Sequence, residues 1–556
     1  MLQIYCKNTK TSQSFQEGTT LLEMLPEFQF DRPYPIVSAK VNNISQGLKF
    51  RVFNSRDVEF LDVRENGAMQ VYCRSLCFLL YKASQDAFPG SKLKMEHPVS
   101  NGLYCKIFKS DGTKLDLEEV AALRDRMQAI VRDDIQFHRH EARLEDAIRM
   151  FEALGQVDKV KLLETSEQPY SDYYTLGDTT DYYYGRLVPS TAYLQVWGLE
   201  SYRDGLLIRL PDHDDPDRLA PMVEQPKTFE VFSETLKWNE FMGLNTVGDV
   251  NRACQRGEVS ELVQVAEALQ EKKIVQIAEE IEKRYHGEQP ARLVLITGPS
   301  SSGKSTFCKR LSIQLKACGL KPISFSTDDY FVNRVDTPKL PDGRYDFDNI
   351  ETVDCAALEK DLLSLMEGKE VEVPEFNFVT GLREYKGKKL QMTPGSVLLL
   401  EGIHALNPRL THHVPDAHKF RIFISTLTST ALDDHNWIPT DDNRLLRRIV
   451  RDYNKGAFTA RQTISQWPSV CEAENKWINP YQENADVMFN SAYLLEFAVM
   501  RNHAEPILAS VPRNCPEYSE AHRLLRFIHY FTSVPDKEIP ATSMIRQFIG
   551  GSSFGQ

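Results

Sequence analysis

Apolar and polar positions alternate over short runs at the start of the chain, which is the pattern of β-strands. Residues 1–6, Ile36–Val41 and Leu48–Phe53 each fit this pattern, and 17–25 fits a short helix. A strand, a helix and further strands close together along the chain predict a small α+β domain over residues 1–62.

Longer helical patterns follow this unit. The stretch 117–154 is charged and predicts a helix, with His138 and His140 on a solvated face. The segment 211–226 is rich in Pro and Asp and predicts a linker. After it, apolar residues recur at helical spacing within 259–285, so we expect an amphipathic helix there that docks on a neighbouring domain.

The middle of the chain combines an apolar run, a glycine-rich turn and a helical pattern. Leu293–Ile296 is typical of a strand buried on both faces. It leads into Gly298–Ser305 (GPSSSGKS), which matches G-x-x-x-x-G-K-[ST], and the helical pattern then ends at Gly319. Glycines let backbone N–H groups face phosphate oxygens, and the helix N-terminus adds partial positive charge. We therefore expect a nucleoside triphosphate to bind at Gly298, Pro299, Ser300, Ser301, Ser302, Gly303, Lys304, Ser305 and Thr306.

Two further apolar runs end in carboxylates, as strands do at the carboxyl edge of a parallel sheet that binds ligands. Pro322–Ser326 leads to Asp328, which we expect to accept the proton of an attacking hydroxyl. Val397–Glu401 ends in an acid that can order Mg²⁺ together with the Ser305 hydroxyl. Lys304 can reach the β- and γ-phosphates and is expected to be catalytic.

A basic helical pattern follows these carboxylates. Its cations recur at spacings of three and four, so we expect one cationic helix face that closes over the transferring phosphates, with Arg451 as a catalytic residue. The cations are Arg444, Arg447, Arg448, Arg451 and Lys455. The sequence lacks the N-K-x-D motif that reads guanine, so ATP is the expected phosphoryl donor.

Composition narrows the class of protein. A chain of 556 residues is long enough for about three or four domains. Its net charge of −12 disfavours general nucleic-acid binding but leaves a local basic face open. The 10 cysteines are scattered, which is typical of a reducing compartment. Since neither a secretory signal nor a long apolar run is present, we expect a cytoplasmic protein that spans no membrane. A homo-oligomer is left open.

The N-terminal half resembles the first two domains of threonyl-tRNA synthetases. Residues 1–62 resemble the TGS domain, a ubiquitin-like β-grasp. Residues 63–215 resemble the α+β domain that hydrolyses mischarged tRNA. The second resemblance rests on Val71–Leu80, Glu96–Cys105, Tyr174–Asp178 and Asp181–Pro189.

The metal motif of that synthetase domain is degenerate in this sequence. Where the family has H-x-x-x-H, this chain has Cys73 and Cys77, and the C-x-x-x-H motif falls on Tyr183 and Leu187. Two thiols four residues apart share a helix face and offer half of a metal site, but they also pack well as small apolar side chains. We favour packing. The domain is then expected to bind a ligand, to dock on the C-terminal half or to regulate it, rather than to hydrolyse.

Residues 291 to about 500 resemble the uridine kinase and phosphoribulokinase group of P-loop kinases. The blocks that carry the resemblance include GPSSSGKST, STDDYF, YDFDNIETVD, PEFNFVTGLREY, VLLLEGIHAL, DDNRLLRRIVRDYNKG and NPYQENADVMF. It implies an α/β kinase with a parallel sheet covered by helices on both faces, and ATP and Mg²⁺ as cofactors. We place this kinase at 289–535, between a linker with a docking helix at 216–288 and a tail at 536–556. The whole layout resembles a group of bacterial nucleoside kinases.

The resemblance also implies roles for single residues. Asp328 matches the base that deprotonates the sugar 5′-hydroxyl, Asp348 a carboxylate that holds the ribose hydroxyls, and Glu401 the Mg²⁺-linked acid. The remaining substrate-binding matches are the base walls Phe376 and Phe378, the cationic positions Arg448, Arg451 and Lys455, and the base-contacting Gln466.

The family pattern breaks where the nucleobase would be read. Uridine kinases have a Tyr, a His and an Arg where this chain has Phe376, Gly381 and Ala457. A site that loses its hydrogen-bond donors loses the discrimination they provide. The acceptor is therefore left open between a nucleoside and another small hydroxyl compound, such as a sugar phosphate. A different interpretation is an RNA- or tRNA-linked binding protein that uses its P-loop half as a nucleotide switch.

Overall fold

The computed structural model describes residues 1–30 and 34–555, and its first unit is a mixed sheet with a short helix. The strands follow the order β2-β1-β5-β3-β4, in which β1 and β5 are parallel and the other neighbours antiparallel. Ile4, Val58 and Phe60 are fully buried on one face. The elements are β1 (Leu2–Cys6), β2 (Thr11–Phe15), α1 (Leu21–Met24), β3 (Ile36–Val41), β4 (Ile44–Gly47) and β5 (Arg56–Asp62).

The predicted strand at Ile36–Val41 is confirmed, whereas the one at Leu48–Phe53 is wrong. The partner of β3 is β4, which follows directly after a tight turn. Asn42 and Asn43 adopt positive φ angles of 47° and 61° in that turn, a conformation that Asn tolerates better than most residues. The hairpin therefore closes earlier than the apolar run at 48–53 suggests.

The second unit, up to residue 209, packs helices against two antiparallel sheets. One sheet has the order β10-β9-β8 and the other β11-β12-β7-β6. Its elements are α2 (Asn66–Ala87), β6 (Lys92–Val99), β7 (Gly102–Phe108), α3 (Leu117–Arg132), β8 (Phe137–Arg143), α4 (Leu144–Ala153), α5 (Val157–Glu164), β9 (Tyr170–Leu176), β10 (Thr179–Asp181), β11 (Gly198–Tyr202) and β12 (Gly205–Arg209).

The single helix predicted over 117–154 is wrong. The chain leaves α3 at Arg132, and Asp134 takes a positive φ of 49° that a helix cannot continue. His138 and His140 then lie on β8, where they pair with Thr175 and Tyr173 of β9.

The thiols of Cys73 and Cys77 lie inside the apolar core around α2. Both side chains are buried, and burial raises the pKa of Cys73 to about 12 and that of Cys77 well above its ordinary value. In residues 1–30 and 34–555, no group of three or more His, Cys, Asp and Glu side chains has the arrangement of a metal site. The two thiols are placed as packing residues would be.

Three helices connect the second unit to the C-terminal half: α6 (Pro226–Met242), α7 (Val247–Gln255) and α8 (Val259–Tyr285). The bounds of α8 confirm the predicted helix. Its residues Ile274, Ile277 and Ile281 are fully buried against the next domain. The second half of α8 thus packs on the domain that follows it.

The C-terminal half is built on a parallel sheet of order β14-β19-β13-β20-β21. Leu293 and Leu295 of the central strand face one core with α10, while Val294 and Ile296 face another with α8 and α9. The predicted doubly covered parallel sheet is thus confirmed. The elements are β13 (Leu293–Thr297), α9 (Lys304–Ala317), β14 (Lys321–Ser326), α10 (Cys355–Met366), β15 (Val371–Glu372), β16 (Glu375–Asn377), β17 (Leu382–Glu384), β18 (Lys389–Leu390), β19 (Ser396–Glu401), β20 (Lys419–Ser425), α11 (Thr440–Asn454), α12 (Ala460–Trp477), β21 (Val487–Asn490), α13 (Glu496–Ala509), α14 (Tyr518–Ile528) and α15 (Arg546–Ile549).

A loop of the C-terminal half, Asp433–Asn436, is buried against the second unit; we call it the docking loop. Lys159 of α5 lies 3.2 Å from Asp181 and 3.7 Å from Asp433, and all three side chains are buried. His435 contacts Asp181 at 2.7 Å. Because the docking loop leads directly into α11, the N-terminal half is fixed to the start of that helix.

The predicted tail does not hang free of the domain before it. Residues 544–555, which we call the closing segment, cover the first turns of α9. Thr306 donates to Gln547 over 2.9 Å, and Lys309 donates to the carbonyl of Gly555 over 2.6 Å.

In residues 1–30 and 34–555, no helix combines the length and apolar character needed to cross a membrane.

Candidate active site

The loop between β13 and α9 has the curled backbone of a phosphate cradle. Ser301 and Gly303 have positive φ angles of 61° and 91°, so successive peptide groups turn inward. A side chain at Gly298 would place its Cβ only 2.2 Å from the carbonyl oxygen of Ile424, so glycine is required there. We call residues 298–303 the P-loop.

Lys304 closes the P-loop from its helical end. Its Nζ donates to the carbonyls of Gly298 and Pro299 over 2.9 and 3.0 Å. Burial lowers the pKa of this amine, and the charges of Glu401 and Asp328 oppose that effect. Both predicted carboxylates therefore lie within electrostatic reach of the predicted phosphate-binding lysine.

The hydroxyl of Ser305 meets the carboxylate at the end of β19. Its Oγ lies 3.1 and 3.2 Å from the two oxygens of Glu401. Hydroxyl and carboxylate oxygens are the hard donors that Mg²⁺ takes, and Mg²⁺ commonly uses one or two protein ligands with substrate phosphates completing its shell. The donor set thus fits the predicted Mg²⁺ site.

Asp328 stands in a 3₁₀ turn that begins where β14 ends. The Ser326 hydroxyl accepts from its backbone N–H over 3.2 Å and so holds the start of the turn. Burial, and after it the charge of Glu401, raises the pKa of Asp328 to about 6, while Lys304 opposes the shift. A carboxylate with this pKa can accept a proton near neutral pH.

Two arginines of α11 support the P-loop from behind, and for them the predicted phosphate-facing role is wrong. Arg444 and Arg447 are buried, and each is paired with a buried glutamate, Glu474 of α12 and Glu496 of α13 respectively. The backbone N–H of Ser300 also donates to Glu474 over 2.7 Å. A helix face that looks uniformly cationic in the sequence is therefore partly neutralised inside the protein.

The same arginines hydrogen-bond to the cradle itself. Arg444 donates to the carbonyl of Ser300, and Arg447 to that of Ser301, each over 3.2 Å. These bonds fix the two carbonyls on the side of α11, while the N–H of Ser300 is already taken by Glu474. Since each guanidinium is held by a carboxylate, the loop is preorganised by two ion pairs.

The other cations of α11 lie closer to the reaction side. Arg448 donates to the Ser300 hydroxyl over 3.0 Å, and Arg451 donates to Asp452 over 2.8 Å. The charge of Arg451 lowers the pKa of Lys304, which places the two cations near one another. Lys455 is exposed just beyond the end of α11.

The predicted acceptor carboxylate lies beside this group. Asp348 is half-buried, burial raises its pKa, and the nearby charge of Arg448 opposes the shift. Asp328 and Lys304 act on it as well. The structure therefore brings the predicted base, the predicted ribose-binding acid and a lid arginine together.

Aromatic side chains form the far wall. Phe376 is buried on β16, and the ring of exposed Phe378 packs against it with centroids 5.1 Å apart. Phe331, which the sequence analysis missed, completes the cluster at 5.5 Å from Phe376. Its position directly after the T-D-D-Y turn is the signal that could have found it.

The position of the missing histidine is filled by another side chain. Gly381 has a positive φ of 73°, and a Cβ there would lie 2.7 Å from the Cβ of Arg334. Arg334 also donates to the carbonyl of Phe378. The guanidinium of Arg334, from the turn at 334–336, therefore packs against the hairpin β16–β17 where the family carries an imidazole.

Comparison with known proteins agrees with this geometry. The sequence pattern of the Phosphoribulokinase / Uridine kinase family matches residues 293–494. The C-terminal half thus contains a kinase domain of that family. Uridine kinase from Ureaplasma parvum serovar 3 is 25% identical to this chain over 196 residues, which are 35% of this chain and 86% of that protein. Uridine-cytidine kinase 2-B from Danio rerio is 26% identical over 234 residues, 40% of this chain and 82% of that protein.

Among solved structures, that of "a Possible Uridine Kinase from Bacillus stearothermophilus" is 18% identical to this chain, with a TM-score of 0.27. It covers 39% of this chain and 98% of its own. The two curated relatives are matched over 35% and 40% of this chain.

Within residues 1–30 and 34–555, no hydrogen bond links Gln466 or Ala457 to the P-loop or to the predicted carboxylates. Gln466 is half-buried on α12, and within the described residues no hydrogen bond involves its side chain. Ala457 lies in the exposed turn after α11, where its N–H donates to the carbonyl of Asp452. The functional residues missed by the sequence are Phe331, Arg334, Glu474, Ser491 and Glu496.

Proposed function

We propose that this protein is an ATP- and Mg²⁺-dependent kinase that phosphorylates a small hydroxyl acceptor, with a nucleoside 5′-hydroxyl as the first candidate. The observation that carries the proposal is the position of Glu401 at the carboxyl edge of the parallel sheet. It pairs with Ser326, two residues before Asp328, and contacts Ser305, which directly follows Lys304. The similarity of the kinase domain to uridine kinases supports the nucleoside as acceptor.

Each group has a separate task in the proposed reaction. The P-loop amides and Lys304 bind the β- and γ-phosphates. Ser305 and Glu401 would hold Mg²⁺, which supplies charge neutralisation between the phosphates when it is bound. Asp328 accepts the acceptor's hydroxyl proton while that oxygen bonds to the γ-phosphorus and the bond from phosphorus to the β–γ bridging oxygen breaks. Arg451 offsets the negative charge that develops.

A second candidate acceptor is an anionic hydroxyl compound, such as a sugar phosphate. The observation in its favour is Arg334, whose side chain fills the space at Gly381. A guanidinium is suited to bind phosphate or carboxylate oxygens, whereas a pyrimidine edge needs a mixture of donors and acceptors. In both candidate reactions Asp328 is the base, and they differ only in the molecule whose hydroxyl is phosphorylated.

For the N-terminal half, we propose a TGS-like β-grasp followed by a synthetase-like domain that has become a scaffold for the kinase. The sheet order of the first unit supports the β-grasp. Burial of Cys73 and Cys77, and the docking loop that contacts Asp181, support a packing role for the second unit. These features favour structural coupling over hydrolysis.

Replacing Asp328 tests the reaction directly. We expect Asp328→Asn to lower kcat on the order of 10²- to 10⁴-fold, because the variant cannot accept the proton. ATP affinity, measured by calorimetry, should stay close to that of the unchanged protein, since Lys304 and the P-loop are intact. The matched control is Asp336→Asn, an exposed acid in the following turn, which should keep full activity. Full activity of Asp328→Asn would falsify the assignment of the base.

The acceptor is identified by measuring ADP release with the purified full chain, Mg²⁺ and ATP against nucleosides, ribose derivatives and sugar phosphates. We expect a nucleoside to give the highest kcat/KM and a 5′-monophosphate as product. A sugar phosphate as the best acceptor would favour the second candidate. ATP binding without turnover on any hydroxyl compound would contradict both and favour a nucleotide switch.

A further inference from the structure

A cavity of about 170 Å³ lies outside the active site, between α6, α8 and the edge of the sheet at β21. Most of its wall is apolar. The aromatic side chains that line it are Trp238, Phe489, Tyr493, Phe497 and Phe531. An apolar cavity of about 150 Å³ accepts one benzene ring. The space is therefore suited to a single ring rather than to a nucleotide.

One part of the wall is polar and lacks partners. Gln270, Thr428 and Asn443 line the cavity and are 7%, 8% and 2% exposed. Within the described residues, Gln270 Oε1, Thr428 Oγ1 and Asn443 Oδ1 have no hydrogen-bond partner. A buried polar atom without a partner costs about 1–3 kcal/mol, so three of them in one wall call for an explanation.

The orientation of both amides is fixed by their other ends. Asn443 Nδ2 donates to the Glu496 carboxylate over 3.1 Å, which leaves Oδ1 without that partner. Gln270 Nε2 faces the carbonyls of Ser491 and Ala492 at 3.5 and 3.4 Å, which likewise leaves Oε1 free to accept. Two side-chain amide oxygens and one hydroxyl oxygen can therefore accept hydrogen bonds from a bound molecule.

From this arrangement we propose that the cavity is a second, regulatory binding site for a planar, single-ring molecule that carries N–H or O–H donors. The apolar walls would hold the two faces of the ring, and its donors would satisfy Gln270, Thr428 and Asn443. At the rim, Lys273 and Glu234 form an ion pair at 3.0 Å that is partly exposed, so the pair can open without unfolding a helix.

The polar wall is connected to the P-loop by two short paths. The carbonyl of Ser491 faces Gln270, while its hydroxyl donates to the carbonyl of Ser302 over 2.5 Å. Asn443 contacts Glu496, which pairs with Arg447, the residue that bonds to the carbonyl of Ser301. A guest that reorients Gln270 or Asn443 therefore changes the support of the phosphate cradle.

Phenol and benzene are suitable probes, because they share a ring and differ by one O–H donor. We expect both to bind the full-length protein in a thermal-shift or ligand-observed NMR titration, with phenol roughly fivefold tighter because of one hydrogen bond. Ala266→Phe fills the cavity from α8 and should abolish binding of both. Ala268→Phe, on the exposed side of the same helix, is the matched control and should bind like the unchanged protein. Binding that survives Ala266→Phe, or no binding of either probe, overturns the proposal.

The polar contacts are tested by near-isosteric variants. Gln270→Met and Thr428→Val together should remove the preference for phenol over benzene, while the affinity for benzene stays that of the unchanged protein. Gln264→Met, exposed on the same helix, should leave the preference unchanged. An unchanged preference in the double variant would show that the orphaned atoms do not select the guest.

The regulatory part is tested without ATP. Saturating phenol should slow hydrogen exchange of the peptide that covers residues 298–307 about fivefold or more. Ala266→Phe should remove this effect. Phenol binding without any change in that peptide would contradict the regulatory role, and neither outcome depends on whether the protein phosphorylates a nucleoside.

Discussion

Gly402 directly follows β19, and its surroundings leave no room for a side chain. A Cβ at this position would lie 1.8 Å from the Oγ1 of Thr327, which is itself fully buried. Thr327 directly precedes Asp328, and Gly402 directly follows Glu401. The backbone of Gly402 therefore packs so closely on the Thr327 side chain that the segments carrying Asp328 and Glu401 are held together.

We predict that Gly402→Ala separates these carboxylates. The overpacked contact should cost about 1–3 kcal/mol of stability, and the misplacement should lower kcat on the order of 10²-fold. Gly67→Ala is the control, because a Cβ at that helical position meets no atom within 4 Å. The free energy of unfolding and kcat of both variants test this, and normal kcat in Gly402→Ala would refute the close-packing argument.

At the residue scale the sequence predicts the groups at strand ends and misses those that depend on tertiary contacts. Asp328 and Glu401 follow apolar runs, and parallel strands bring such ends together. Glu474 gives no comparable signal, because its contact with Ser300 joins residues 174 apart in the chain. Arg444 and Arg447 look the same in the sequence whether they face a phosphate or a buried glutamate.

At the scale of elements, α6 is attached to the second unit by a stacked pair of rings. His97 of β6 lies on Phe232 of α6, with centroids 4.3 Å apart and planes inclined by 23°. Burial lowers the pKa of His97 from 6.5 to about 3, so the imidazole is neutral in the folded protein. Protonating this imidazole in the folded protein would bury a positive charge.

We predict an acid-sensitive attachment of α6. Because the pKa of His97 is lowered, this imidazole is protonated below pH 6.5 in the unfolded chain but only below about pH 3 in the folded protein. Stability is therefore full above pH 6.5 and falls across that interval, by up to about 1.4 kcal/mol per pH unit. His97→Phe keeps the ring contact and should flatten the dependence. The measurement is the urea concentration at the midpoint of unfolding, at pH 7.5 and 5.5. An equal change of this midpoint between the two pH values in both proteins would contradict the prediction.

Among the elements, α8 could be predicted from the sequence to the residue, whereas β8 could not. The apolar positions of α8 repeat at helical spacing over its whole length, and those of its first and second halves are buried in two different cores. The run around His138 has no strong period, and its strand exists because β9 pairs with it from Tyr170 onward. Local pattern suffices for an amphipathic helix but not for a strand that is defined by a distant partner.

At the scale of the whole molecule, the buried cluster around Lys159 joins the two halves of the chain. Burial alone would lower the pKa of Lys159, but the charges of Asp158, Asp181 and Asp433 together raise it well above its ordinary value. The cluster holds more acids than bases. The ammonium group of Lys159 therefore offsets the charge of carboxylates that are buried with it.

We predict that Lys159→Met destabilises the interface by about 3–5 kcal/mol, the cost of leaving buried carboxylates without their cation. Lys161→Met, on the same helix, removes a half-exposed ion pair with Asp249 and should cost about 0–1 kcal/mol. The free energy of unfolding of each variant, and the rate of proteolysis at the docking loop, measure the difference. Equal destabilisation by both substitutions would show that the cluster is not what holds the halves together.

The sequence could not predict this interface, although it identifies the units on either side. Asp158 and Lys159 read as ordinary charged positions of an amphipathic helix, and Asp433–Asn436 reads as a polar loop. Their burial follows only from how the units meet. The kinase domain is predictable because its motifs are local to it, while the use of the N-terminal half depends on contacts that no single segment encodes.

The closing segment has a consequence for the order in which the protein becomes active. Thr306 and its partner Gln547 are 241 residues apart, so at roughly 5–20 residues per second a ribosome makes the second about 10–50 s after the first. During that interval the nascent chain already contains every residue of the P-loop but not the residues that cover α9. We expect chains truncated before residue 544 to bind nucleotide more weakly than the full chain, because Thr306 in the first turn of α9 then lacks its partner Gln547.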